Sequence, residues 1–552
     1  MGSETASGID KLLAALVDSI RGNDSEQNPV LAIDVAGLRI ANACGGGGLS
    51  MNNGDVDLLD SRLPVKIDTT TNGEFSPKPL PKASVTANYI ARSRADQIAN
   101  ALGVTRRQFL VSLSGAAATF AAFNDVHAAS GAKGGRFEMP KEAQWELAAA
   151  ESALVRKEFI FDIQNHHVSP RPQWRNPDLP WRSLLGEMAA QQRDDMSRRA
   201  ACRSPSKLSR DDQIGACLSR DVYVKEMFLD SETSMAVLSF VPSREDDMPL
   251  STEEAIVTKK VVDALDGTER LLLHARVIPN LPGDLERMET LARMHKVSAW
   301  KTYTQFAGGW WLDDERHGIP FLERVRASGT KVVCIHKGLP LPPMGKEIQF
   351  SRCDDVGRVA RKYPDVTFII YHSGYDNRVT ESAFAPGSKK GGIDSLIQSL
   401  LDNGVAPNSN IYAELGSTWR TVMSDPDQSA HVLGKLLRYV GEDRVVWGTD
   451  SIWYGSPQDQ IQALRLFQIS DEFCDRYGYP KLTPQIKTKI FGMNATVPYK
   501  VNPVPFLTTA ADDSISRLRA AYADVPDPSF LTYGPRTRAE FVRFHRLSAG
   551  LP

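Results

Sequence analysis

Along residues 159–451 of this 552-residue chain, side chains able to bind metal or move protons fall at the ends of short apolar runs. The run FIFDIQNHHV (159–168) brings Gln164 and His166, KVVCIHKG (331–338) brings His336, and VTFIIYHSG (366–374) brings His372. VVWGTDS (445–451) ends on Asp450, VSAWKTYTQF (297–306) carries Lys301, and NIYAELGS (410–417) carries Glu414. Imidazole and carboxylate are the usual ligands of zinc and similar divalent ions. Residues two apart on a strand share a side, so Gln164 and His166 can face one centre together while Asn165 and His167 face away. Each residue also has a structural reading. A strand-end histidine can simply be hydrogen-bonded, Asp450 can cap the turn after Gly448-Thr449, and Lys301 can pair with Glu414. Their gathering at successive run ends favours a site.

Such a site needs a scaffold that brings the ends of distant runs together. Eight apolar, β-branched runs recur, with MAVLSFVPS (235–243) and LLLHARVIPN (271–280) completing the set. Segments of helical periodicity separate them, among them STEEAIVTKKVVDAL, FLERVRASG, DVGRVARKYP and QSAHVLGKLLRYVG. Alternating strands and helices imply a parallel sheet, and eight such units give an α/β fold of the (β/α)8 TIM-barrel type. No G-x-G-x-x-G follows the first run, which leaves an open doubly wound sheet as the poorer choice. In a TIM barrel the chemistry sits where the strands end, the place these polar residues occupy.

The motifs in order are D-x-Q-x-H at Asp162–His166, H-K-G at His336–Gly338, Y-H-S-G at Tyr371–Gly374, G-T-D-S at Gly448–Ser451 and F-G-M-N-A at Phe491–Ala495. Over residues 158–500 the chain resembles the amidohydrolase-related family that includes aminocarboxymuconate-semialdehyde decarboxylase and the resorcylate decarboxylases. The resemblance implies one divalent metal, zinc or else manganese, bound by His166, His336 and Asp450. It casts His372 as a ligand or an acid/base. Gln164 stands where the family has a histidine. An amide oxygen suits harder ions, so the departure implies a weaker site, a harder metal or a lost one, with His167 as a substitute ligand if the strand ends early. Binuclear relatives use a carbamylated lysine, for which Lys301 is the counterpart.

Three functions are compatible with this set. The first is hydrolysis of an ester, lactone or amide of a small organic acid. Asp450 would accept the proton of the attacking water, His372 would assist, and Lys301 and Arg420 would hold a substrate carboxylate. The second is non-oxidative decarboxylation of an aromatic or unsaturated acid, with Asp450 or His372 protonating carbon. The third is a non-catalytic barrel that has lost its metal. Glu414 and Trp453 are further candidates for the substrate pocket, as are Trp310, Trp311, Trp419 and Tyr454 in the loops after the strands.

Composition narrows the partners. A formal net charge of -2 argues against nucleic acid and leaves a small-molecule substrate. Thr105-Arg106-Arg107-Gln108-Phe109-Leu110, a short apolar run and Val126-His127-Ala128-Ala129 have the parts of a twin-arginine export signal. They imply the twin-arginine export machinery as a partner and a periplasmic or exported protein, cytoplasmic if the signal is unused. The run is too short for a stable membrane anchor. The alternative reading is a buried Ala-rich helix capped near Arg106-Arg107. Residues 1–100 read as a mostly disordered extension, with a possible helix from Ile9 to Ile20, the run Gly45–Gly48 and a polar stretch from Asp68 to Ala87. Residues 101–130 are the signal segment, 131–500 the barrel and 501–552 a helical appendage, with helices near Ser514–Tyr522 and Arg538–Leu547. Cys202 and Cys217 can pair as a disulfide after export, and Cys334 reads as a core residue. The segment Ser169–Val222 is expected to cover the barrel mouth or to meet a neighbour in a homo-oligomer.

Overall fold

A computed structural model describes residues 62–169, 218–245, 248–266, 269–340, 342–387, 391–508, 514–524, 526–539 and 541. The expected features at Ile9–Ile20, Gly45–Gly48, Cys202 and Cys217, and most of Ser169–Val222 and Arg538–Leu547, lie outside the described residues.

A small antiparallel pair, β1 (Gly135–Phe137) with β10 (Phe467–Ile469), flanks the barrel. The barrel strands are β2 (Phe161–Asn165), β3 (Met235–Leu238), β4 (Leu271–Arg276), β5 (Val297–Tyr303), β6 (Val332–His336), β7 (Thr367–Tyr371), β8 (Ile411–Glu414) and β9 (Val445–Val446). They pair in that order, every pair parallel. Backbone bonds from Ile163 to Trp447 (3.1 Å), Asp450 to Gln164 (2.8 Å) and His166 to Ser451 (2.6 Å) join the last strand to the first. All eight runs of the sequence become these strands. The crossover helices are α4 (Thr252–Asp266), α5 (Met288–Met294), α6 (Gly318–Ala327), α7 (Val356–Lys362), α8 (Ile393–Asp402) and α9 (Pro426–Tyr439). Alternate residues of the strands face the interior, where Phe161, Ile163, Val237, Ala299, Cys334, Ile369 and Val446 form a buried apolar cluster. Cys334 is a core residue, as read. A helix spans Ser514–Asp524, close to its expected place.

Before the barrel come α1 (Lys82–Ala101), α2 (Arg106–Val111) and α3 (Leu113–Ala129). Thr105 and Gln108 close a reciprocal capping box at the start of α2. Arg106 and Arg107 sit on its first turn, where they pair with Asp96 (3.3 Å) and Asp527 (2.6 Å). The Ala-rich run is α3. Ala117, Phe120 and Phe123 are fully buried and share one hydrophobic cluster with Trp419, Leu433 and Phe467 of the barrel shell. Small side chains let α3 approach α1 closely while its phenylalanines reach the shell. The segment that reads as an export signal is thus folded into the core. Among the described residues no helix is long and apolar enough to cross a membrane.

Residues 62–81 form an irregular strap, which corrects the expectation of disorder for Asp68–Ala87. Composition misleads here because the strap's polar groups are satisfied by the barrel and the tail instead of by water. The Lys66 backbone N–H donates to Asp459 (2.9 Å) and its ammonium pairs with the same carboxylate (3.4 Å). Thr70 bonds Thr532 (2.7 Å), and the Thr71 N–H donates to the Pro535 carbonyl (2.9 Å). The strap therefore runs between the barrel mouth and residues 529–536. Asp68 accepts from Arg420 at 2.8 Å, with the two side chains only 6% and 4% exposed. Burial would raise the Asp68 pKa, but Arg420 and Arg536 outweigh it and hold the carboxyl below its usual range.

Two stability changes are expected. Phe120→Ala should cost about 3–5 kcal/mol in urea unfolding, read from the whole-barrel transition, because its cavity opens in the shared core. An unchanged midpoint would mean that α3 is peripheral. Arg420→Ala should cost up to about 3–5 kcal/mol by removing the ion-pair partner of Asp68, a loss that Arg536 and Thr532 offset in part, and the added change Asp68→Asn should restore some of it. The Asp68 pKa is lowered by folding, so its stabilisation is complete above the unfolded value of about 3.9 and fades as pH falls through the folded one. Arg420→Ala should therefore lose most of its effect in acid.

Candidate metal centre

Side chains from six of the strands, β2, β5, β6, β7, β8 and β9, or from the residues just after them, line the mouth. His336 closes β6, and His372 follows β7 directly. Their rings meet edge to face with centroids 4.7 Å apart, and both are fully buried. His336 Nε2 faces the Leu339 carbonyl at 3.3 Å, and His372 Nδ1 faces that of Gly416 at 2.7 Å. These bonds leave His336 Nδ1 and His372 Nε2 free, and neither has a hydrogen-bond partner. Both point at one carboxylate, that of Glu74 on the strap. Its Oε1 is 3.5 Å from His336 Nδ1 and its Oε2 is 3.7 Å from His372 Nε2. One ligand atom from each residue lies within 4.8 Å of the others, a spacing that fits a shared cation.

Asp450 and His166 form the other half of the site. Asp450 Oδ1 is 3.0 Å from His166 Nε2 and accepts from Gln164 Nε2 at 3.2 Å. Its Oδ2 accepts from Asn72 Nδ2 and Ser417 Oγ, each at 2.6 Å. His166 Nδ1 faces the Ser239 carbonyl at 3.1 Å, and its ring stacks near Trp453 at 6.2 Å. Gln164 Oε1 is buried without a partner. His167 turns outward to Thr258 (2.9 Å), so it is no substitute ligand.

Lys301 of β5 is fully buried, and its Nζ makes no hydrogen bond; the ammonium lies over the Tyr371 ring at 3.5 Å. The suggested Lys301–Glu414 ion pair does not form. The Glu414 carboxylate instead accepts from the N–H groups of His372 and Gly416. Arg420 is engaged by Asp68 and stands over Tyr454, and so differs from the open carboxylate clamp the sequence suggests. Trp310 and Trp419 are core residues whose indole N–H groups donate to the Tyr303 and Gln460 carbonyls.

The backbone carries strain where the site is built. His372, Ser373, Ser417 and Asp450 all have left-handed φ values of 63, 53, 53 and 60°. Non-glycine residues rarely take this conformation, and where they do it is held by surrounding structure, often at a functional site. Here it turns the chain sharply off β7, β8 and β9 and aims side chains across the mouth.

The electrostatics of these groups suit a cation-binding site. Burial drives His336 well below the usual imidazole value and His372 to about 4, so both rings are neutral and able to coordinate. Burial and the neighbouring Asp450 raise Glu74 far above the usual carboxylate range. Burial also lifts Glu414 to about 8 and lowers Lys301 to about 8. Asp450 stays ionised, since the hydrogen bonds from His166 and Ser417 outweigh the effect of burial. A divalent ion between Glu74 and the two imidazoles would offset the desolvated negative charge.

The sequence reading brought His166, His336, His372, Asp450, Gln164 and Glu414 to one mouth, and the structure places them there. It missed Glu74 and Asn72. No periodicity or motif marks them, because they lie in a polar segment far upstream of the first strand.

Residues 254–500 match the family model described as amidohydrolase. Solved structures similar to the chain include an uncharacterized TIM-barrel protein from Bordetella bronchiseptica, at 15% identity and TM-score 0.38, over 62% of this chain and 99% of that one. Another is 5-carboxyvanillate decarboxylase from Sphingomonas paucimobilis, at 12% identity and TM-score 0.36, with the same coverage of 62% and 99%. A third is 4-oxalomesaconate hydratase from Rhodopseudomonas palustris, at 13% identity and TM-score 0.32, over 66% and 100%. Likenesses this slight say nothing of activity. No protein of curated function matches the sequence. The region that matches the amidohydrolase model holds six of the eight barrel strands and both orphaned imidazoles.

Proposed function

We propose that the chain is a metal-dependent hydrolase acting on an ester, lactone or amide of a small organic acid. The observation that carries this reading is the pair of buried, unpartnered imidazole nitrogens of His336 and His372 facing a carboxylate, beside the Asp450–His166 pair. His336, His372 and Glu74 would hold one divalent ion, zinc or manganese. When bound, such an ion polarises a carbonyl and supplies a nucleophilic water near neutral pH.

The remaining work falls to the protein's own side chains. Asp450, held ionised and oriented by Ser417, Asn72 and His166, is the proton acceptor for the attacking water. His166 Nε2, 3.0 Å from Asp450, relays that proton toward the leaving group. Lys301 is the buried cation facing this acidic set, and it favours a substrate or transition state that brings negative charge. Burial of the surrounding groups excludes bulk water and strengthens each of these interactions.

The same residues also serve non-oxidative decarboxylation, in which Asp450 or His166 would deliver a proton to carbon. The motif resemblance to aminocarboxymuconate-semialdehyde and resorcylate decarboxylases favours that second reading.

Metal analysis of the purified full-length chain should find about one equivalent of zinc or manganese, lost in His336→Ala. Asp450→Asn should lower kcat on a responsive ester or lactone by roughly 10²–10⁴-fold, the range for a lost acid/base. Release of CO2 from aromatic acids with no hydrolysis in the panel would move the function to decarboxylation. A wild-type chain that binds no divalent metal would end the metal-dependent reading and move the non-catalytic barrel to first place.

A further inference from the structure

The barrel by itself offers the candidate ion only two free imidazole nitrogens. Asp450 has both oxygens engaged, by His166 and Gln164 on one side and by Asn72 and Ser417 on the other. Gln164 spends its amide nitrogen on Asp450 and leaves unpartnered only its neutral amide oxygen, Oε1. Glu414 is turned to backbone N–H groups. The carboxylate between the imidazoles comes from outside the barrel.

Its delivery is built into the strap. Lys66, Asp68, Thr70 and Thr71 anchor the strap to Asp459, Arg420, Thr532 and Pro535. A turn follows at Gly73, whose φ of 84° is one that glycine adopts without penalty. Asn72 spans the turn: its Oδ1 accepts from the Glu74 N–H at 3.0 Å, while its Nδ2 donates to Glu74 at 2.5 Å and to Asp450 at 2.6 Å. Asn72 thus fixes Glu74 relative to a residue at the end of β9. Phe75, the next residue, is buried in the hydrophobic cluster shared with the barrel shell.

We propose that Glu74 is an intramolecular metal ligand supplied by the strap, so that the metal centre exists only in a chain that keeps residues 62–129. The proposal rests on the metal-centre reading above. It assigns a role to a segment upstream of the barrel and gives the export-type motif a consequence. Processing at Val126–Ala129 would remove α1, α2, α3 and the ligand together, and would take Ala117, Phe120 and Phe123 out of the core cluster shared with the barrel shell. The metal-bearing form is the uncleaved one, whatever compartment it occupies.

Full-length wild type, Glu74→Gln, Glu74→Asp and His336→Ala, each freed of metal by chelation, are titrated with Zn2+ by calorimetry and with Co2+ by visible absorption. Glu74→Gln should bind Zn2+ at least tenfold more weakly and show an altered Co2+ d–d spectrum, with Glu74→Asp between it and wild type. Near-ultraviolet circular dichroism of the metal-free proteins checks that the variants are folded. Wild-type affinity and spectrum in both Glu74 variants, with binding lost in His336→Ala, would overturn the strap ligand and leave the metal centre standing. No binding by wild type would end both readings. The intact mass of metal-bearing protein isolated from cells gives an arm that needs no variant. A mass that includes residues 62–129 is expected, and a metal-bearing form that begins after Ala129 would overturn the proposal.

Discussion

Two imidazole nitrogens without partners in a buried barrel mouth are the constraint around which this molecule is arranged. Leaving a buried polar atom unpaired costs on the order of 1–3 kcal/mol. Here His336 and His372 both leave one, and their other nitrogens are fixed by carbonyls, that of Leu339 after β6 for His336 and that of Gly416 after β8 for His372. Opposite them lie three buried carboxylates, Glu74, Asp450 and Glu414, with Lys301 the cation closest to the set. Neutral imidazoles and crowded carboxylates destabilise the fold unless a cation joins them. The left-handed turns at His372, Ser417 and Asp450 belong to the same arrangement, since a relaxed backbone would aim these side chains elsewhere.

The strap extends that constraint beyond the barrel. Isolated, its sequence has too little apolar surface to fold. Its order is borrowed from Asp459, Arg420 and the tail around Thr532 and Pro535, which supply partners for Lys66, Asp68, Thr70 and Thr71. The buried Asp68–Arg420 pair is weak evidence for net stability, because desolvation offsets most of its attraction. Its value is positional. It fixes where the strap enters the mouth and hence where Glu74 arrives. Arg420, which resembles a substrate clamp when read alone, is consumed by this internal carboxylate.

The barrel was legible because strand burial and helix periodicity are local signals, and all eight apolar runs became strands. The strand-end residues followed from that, since a parallel barrel forces run ends to one face. Glu74 and Asn72 were not legible, because their positions depend on contacts with residues several hundred positions away and no local pattern records those. The Thr105–Ala129 segment shows the opposite hazard. Arginine pair, apolar run and small residues satisfy an export signal and a capped, buried Ala-rich helix equally well. The structure displays the helix, with Thr105 as its cap and Phe120 in the shared core.

The central claim, one metal centre assembled from the barrel and the strap, is tested most directly by anomalous diffraction from crystals of the full-length chain grown with zinc. Data collected at the zinc edge should show one strong peak bounded by Glu74, His336 and His372. A site empty there, with zinc bound at the His166–Asp450 pair or elsewhere, would contradict the account.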